Sequence, residues 1–154
     1  RKGPEGMEKV AVKKLRPGAV MPKFGSKDAA GADLYACLEE SVTIAPGQTV
    51  FIPTGLAMAL PRGYVGLVYA RSGLACKQDL APANKVGVID SDYARSDNEG
   101  HIFMRMTNDN REGKSLLVPA GTAFAQGIFL PFGITVDDDA QGVRNGGLGS
   151  TTGR

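Results

Sequence analysis

Glycine and proline punctuate this chain so often that long helices have no room to form. Its 154 residues carry 21 glycines and nine prolines, each of which breaks or resets a helical run. Between them the apolar residues recur with a period nearer two than 3.6, as in strands whose alternate residues face opposite sides. Residues 10–15, 32–37, 41–44, 49–60 (broken near Pro53), 64–70, 83–89, 102–106, 115–118 and 123–130 are predicted as strands, and a helical turn or two is allowed at 73–80. Turn signals such as Arg16-Pro17-Gly18, Leu60-Pro61-Arg62-Gly63 and Pro119-Ala120-Gly121-Thr122 separate them. Many short strands spaced by turns predict an all-β barrel or sandwich.

Composition narrows the functional classes. The length suits one domain with one core. A net charge of +2 with 22% charged residues gives no basic footprint for nucleic acid and no anionic-membrane signal. No window holds the ~20 apolar residues of a membrane span. His101 is the only histidine, and Cys37 and Cys76 lack CxxC spacing, so a zinc site or a Ser-His-Asp triad is poorly supplied. Both cysteines are expected as buried thiols in a reducing compartment, cytoplasmic or nuclear. Residues 1–6 read as an appendage, 7–136 as the β domain and 137–154 as a flexible, glycine-rich carboxyl arm that cannot pack a core.

Chemistry concentrates in Gly87-Val88-Ile89-Asp90-Ser91-Asp92-Tyr93. The run begins β-branched and ends in turn formers, so it is predicted as a strand entering a hairpin with a carboxylate at the bend. A rigidly aimed carboxylate suits a general base; the competing reading is a solvated hairpin tip. In the arm, Arg144, Gly146, Gly147, Gly149, Ser150 and Thr151 place a cation, bare amides and hydroxyls together, the groups that wrap a polyphosphate. A frayed tail would have the same composition.

Taken in order, Ala30-Gly31-Ala32-Asp33-Leu34-Tyr35-Ala36, Ala70-Arg71-Ser72-Gly73, Gly87 through Tyr93, Ala125-Gln126 and Arg144-Asn145-Gly146-Gly147-Leu148-Gly149-Ser150-Thr151 resemble the five motifs of the trimeric dUTP diphosphatases. Five motifs in sequence are far more specific than one. The resemblance implies a jelly-roll-like β fold. It also implies hydrolysis of dUTP to dUMP and pyrophosphate by water attack on the α-phosphorus, which limits uracil incorporation into DNA and supplies dUMP for thymidylate synthesis. Asp90 would be the general base. Arg71, Ser72, Gly73 and Gln126 would face phosphate oxygens or water, with an ordinary turn and a strand-edge amide as the plain alternatives. Asn84 and the backbone of Gly87 and Val88 would read uracil, and Tyr93 would lie against C2′ and exclude a ribose hydroxyl. Arg144, Leu148, Gly149, Ser150 and Thr151 would close over the nucleotide. Mg2+ is the implied cofactor, with Asp33 acting on it through bound water; the alternative for Asp33 is a carboxylate capping its own turn.

The resemblance further implies a homotrimer whose sites draw the Arg71 side, the Asp90 hairpin and the Arg144 arm from three different chains. Two departures stand out: Leu148 occupies the place of an aromatic lid, and residues 94–100 form an insertion after Tyr93 that could carry a protein partner. A deaminase of the same fold acting on dCTP, and a binding protein built on the same scaffold, are the competing functions.

Overall fold

The structure, a computed structural model, describes residues 8–146. Twelve short strands carry the described chain: β1 (Ala11–Lys14), β2 (Lys23–Phe24), β3 (Ala32–Tyr35), β4 (Val42–Ile44), β5 (Thr49–Pro53), β6 (Leu56–Ala59), β7 (Tyr64–Ala70), β8 (Leu80–Pro82), β9 (Gly87–Ile89), β10 (Phe103–Asn108), β11 (Leu116–Val118) and β12 (Ala123–Pro131). One seven-residue helix, α1 (Ser72–Gln78), follows β7. All strand pairs are antiparallel. The largest sheet runs β2-β3-β12-β7-β9; a second runs β5-β10-β8, and the pairs β1-β6 and β11-β4 complete the set. The expected all-β architecture, jelly-roll-like in its division into small antiparallel sheets, is what forms.

The core collects the inward residues of these sheets. Leu34, Ile44, Ile52, Leu56, Leu80, Met106 and Phe124 are fully buried, and each aliphatic side chain so placed contributes ~1.5–3 kcal/mol. β12 departs from strict alternation, since Phe124 and Ala125 are both buried. A register shift against β3 between Ala123 and Ala125 explains it: the extra residue rotates the strand and turns Gln126 out of the core, as bulges do beside sites. Asn108 is the polar residue the core tolerates. Its amide nitrogen donates to the carbonyls of Ile44 and Lys114, and its oxygen accepts from Asn110 N–H, so both ends of its buried amide are paired.

Local structure differs from the sequence-based expectation at three places. Residues 83–89 are not one strand: Pro82 to Lys85 turns the chain, with Lys85 at φ 69°, and only Gly87–Ile89 pairs, with β7. Asp90 does not sit on a hairpin. The chain passes from β9 into a 3-10 helix, Ser91–Arg95, with Asp90 as its N-cap residue, and β10 pairs with β5 and β8 instead. The Asp90-Ser91-Asp92 run that reads as a β-bend satisfies its backbone in a helical turn equally well. Finally, Cys37 is a free thiol that is half-buried, not buried, because it packs at the turn beside Gly18 and Gly55. The side chain of Cys76 lies outside the described residues.

Candidate active site

The residues singled out in the sequence fall into two clefts that share no lining residue. The first, of 480 Å³, is walled by Asn84, Gly87, Val88, Asp90, Tyr93 and Arg144, with Phe51, Phe103 and Arg105 opposite. The second, of 270 Å³, holds Asp33, Arg71, Ser72, Gly73 and Gln126, with Gly25, Ser26, Ala29 and Gly31.

Each wall follows from local folding. β9 is the edge strand of its sheet, so the backbone groups pointing away from β7 join no ladder and face the first cleft, a surface ready to pair with an added planar edge. Val88 projects from it, 64% exposed. Asp90 leaves the end of β9, and Arg144 lies across it: Nη2 is 2.5 Å from Asp90 Oδ2 and Nε 2.8 Å from Asp92 Oδ1. The hydrogen bond to Asp92, with the charges of Asp92 and Asp90, raises the Arg144 pKa further above its ordinary value against a smaller opposing effect of burial. Within the single chain Arg144 thus lies on Asp90 and Asp92, a pair of carboxylates at one turn that a guanidinium can bridge.

Tyr93 is held from both sides. Its hydroxyl donates to the His101 carbonyl at 2.6 Å and accepts from Asn98 Nδ2 at 2.9 Å. His101 itself is buried, and its Nε2 accepts the Gly55 N–H at 2.9 Å, which fixes the neutral tautomer with the proton on Nδ1. Burial, then the nearby Arg16 charge, lower its pKa below 6.5, while Glu99 works the other way.

In the second cleft Arg71 follows β7 and is the N-cap residue of α1, with no capping hydrogen bond from its side chain. Its Nε pairs with Asp33 Oδ1 at 3.0 Å and its Nη1 donates to the Ala123 carbonyl at 3.0 Å. Asp33 is thus tied to Arg71, not to its own turn. Gln126 faces Asp33 across the β3–β12 ladder and donates from Nε2 to the Ala70 carbonyl at 3.0 Å. Gly31 lies so close to the Gln126 amide oxygen that any Cβ would collide with it. Among the described residues no group of three or more His, Cys, Asp or Glu side chains could hold a metal ion. Leu148, Gly149, Ser150 and Thr151 lie outside the described residues.

The dUTPase family model matches residues 18–152. The chain belongs to the dUTPase family. It is 44% identical over 149 residues to deoxyuridine 5′-triphosphate nucleotidohydrolase of Desulfitobacterium hafniense, with 93% of this chain and 94% of that protein covered. A crystal structure of dUTPase from Streptococcus mutans matches at 34% identity and TM-score 0.70, covering 82% of this chain and 98% of the other. A mutant dUTPase from phage phi11 of S. aureus, described with a structural Mg(II) ion, matches at 23% identity and TM-score 0.73 over 88% and 98%; that likeness shows the shared fold. Sequence reasoning about the dUTPase motifs missed Asp92, Asn98 and His101. Asp92 lay inside a quoted motif, and its position two residues after Asp90 was the available signal.

Proposed function

We propose that the chain hydrolyses dUTP to dUMP and pyrophosphate, with Asp90 as the general base that takes a proton from the water attacking the α-phosphorus. The observation that carries the assignment of roles is the division of the motif residues between two clefts on one chain. Asp90, Tyr93 and the free edge of β9 form a nucleoside half; Arg71, Ser72, Gly73 and Gln126 form a phosphate half. A complete site then arises when the first cleft of one chain meets the second cleft of another, and a closed homotrimer does this three times over. The Arg144 arm of a third chain would then close over the joined clefts, leaving the contact with Asp90 that it makes within the single chain.

In the nucleoside half, outward groups of Gly87 and Val88 and the Asn84 side chain pair with the uracil edge, and the braced Tyr93 ring leaves no room for a 2′-hydroxyl. A site rejects a substrate strongly when the extra group meets a wall that cannot yield. In the phosphate half, the Arg71 guanidinium, the Ser72 hydroxyl and the Gly73 amide neutralise and orient the phosphates, which is most of what phosphoryl transfer asks of a protein. Mg2+ fits this donor set in one way only. Asp33 is a single carboxylate already paired with Arg71, so it would hold the ion through water while the phosphates supply the direct ligands. So bound, the ion supplies charge neutralisation of the phosphate oxygens. Residues 94–100 pack against Tyr93, with Ser96 and Gly100 buried, which supports a structural task for that segment over a partner surface. Pyrophosphate and ammonia release measured side by side with dUTP, dCTP, dTTP and UTP tests the function. Pyrophosphate from dUTP alone is expected; ammonia from dCTP would establish the deaminase reading instead.

A further inference from the structure

The segment after Tyr93 is built as a brace for that one ring. Asn98 is its centre: Nδ2 donates to the Tyr93 hydroxyl at 2.9 Å, while Oδ1 accepts from Ser96 Oγ at 2.7 Å and from Gly100 N–H at 3.1 Å. Ser96 Oγ also lies 2.7 Å from the Tyr93 carbonyl, and the Tyr93 hydroxyl donates onward to the His101 carbonyl. Gly100 adopts φ 73°, and a Cβ there would stand 2.5 Å from Ala94 Cα, so the loop closes onto the 3-10 turn more tightly than any other residue permits. A phenol in a single donor role would swing on its χ torsions. One that both donates and accepts, to two different points of one loop, is fixed in direction.

We propose that Asn98 is a positioning residue for sugar discrimination, holding the Tyr93 ring at the wall of the first cleft so that deoxyribose fits and ribose does not. The inference rests on Tyr93 being the surface that meets C2′. If the ring could tilt, the extra hydroxyl of UTP would displace it at little cost; the brace makes displacement break two hydrogen bonds. The chain thereby uses residues 94–100 for selectivity within its own site.

The test is the ratio of kcat/KM for dUTP over UTP in Tyr93→Ala, Tyr93→Phe, Asn98→Asp and the Tyr93→Phe/Asn98→Asp double variant, with thermal midpoints measured in parallel. Asn98→Asp keeps an acceptor for Ser96 and Gly100 and puts a charged acceptor where the phenol had a donor. It should lower the ratio roughly tenfold, chiefly by raising UTP turnover, with kcat for dUTP little changed. Tyr93→Phe, which leaves the loop's own bonds intact, should lower it similarly, and adding Asn98→Asp to it should change nothing more, since the two act through one contact. A ratio that falls in Tyr93→Ala but is unchanged in Asn98→Asp would overturn the inference, as would equal losses from Asn98→Asp with and without the phenol. A ratio unchanged in Tyr93→Ala would overturn the placement of Tyr93 against the sugar, and the brace with it.

Discussion

One guanidinium spans two carboxylates at the end of β9: Arg144 reaches Asp90 with Nη2 and Asp92 with Nε, at 2.5 and 2.8 Å. While this fork is closed, the Asp90 oxygen that would accept a proton from water already accepts from the arm. With Asp90 as the proposed base and Arg144 as a proposed phosphate ligand, nucleotide phosphates would compete for the same guanidinium and their arrival would free Asp90.

That competition can be weakened without touching Asp90 or Arg144. Asp92→Asn removes a charge that holds the arm, so dUTP phosphates should capture Arg144 more easily. KM for dUTP is expected to fall two- to fivefold, about what a half-exposed ion pair is worth, in low-salt buffer. The difference from wild type should shrink at high ionic strength, where the pair is screened. Initial-rate measurements across a salt series check this.

The two-cleft arrangement makes a separate prediction. Asp90→Asn chains lack the base and Arg71→Ala chains lack the phosphate guanidinium, so each homo-oligomer should be nearly inactive. Denatured together and refolded, they should recover about a quarter of wild-type activity, the fraction of sites that pair an intact first cleft with an intact second one in a random symmetric assembly. Sites built within one chain would give no recovery.

His101 sets a pH dependence of stability. It is buried neutral, with Nε2 accepting the Gly55 N–H, and its pKa is lowered by burial and by Arg16. The unfolded chain takes up a proton near pH 6.5, before the folded one does. Stability should therefore be complete above pH 6.5 and decline as pH falls from there toward the lowered folded value. Urea midpoints between pH 8 and pH 5.5 should show this decline for the wild type and a flatter profile for His101→Gln, which has no titrating ring.

The strand framework was legible because it is written in local patterns. β7 at Tyr64–Ala70 and the break at Pro53 between β5 and β6 follow from alternation and a proline, and α1 from the glycine-flanked run after Arg71. The Asp90 turn was not, because Asp-Ser-Asp suits a hairpin bend and a 3-10 turn alike and the choice is made by pairing partners far along the chain. β2, two residues long, has no periodicity to detect. Among the described site residues, those quoted from contiguous motifs line the two clefts. Asn98 and His101 escaped because their task is to hold another side chain, a relation visible only once residues 93–101 close on themselves. The resemblance already implied that the Arg71 side and the Asp90 run lie apart on one chain; residue patterns alone could not say so, because it depends on the end of β7 and β12 lining one cleft while β9 and β10 line the other.

The carboxylate at the end of β9 carries the proposed chemistry. Single-turnover pyrophosphate release from saturating dUTP, compared between wild type and Asp90→Asn with nucleotide binding measured separately, tests it most directly. The prediction is binding within a few-fold of wild type and a chemical step slowed by more than ~100-fold. A variant that releases pyrophosphate at a near-wild-type rate would contradict it.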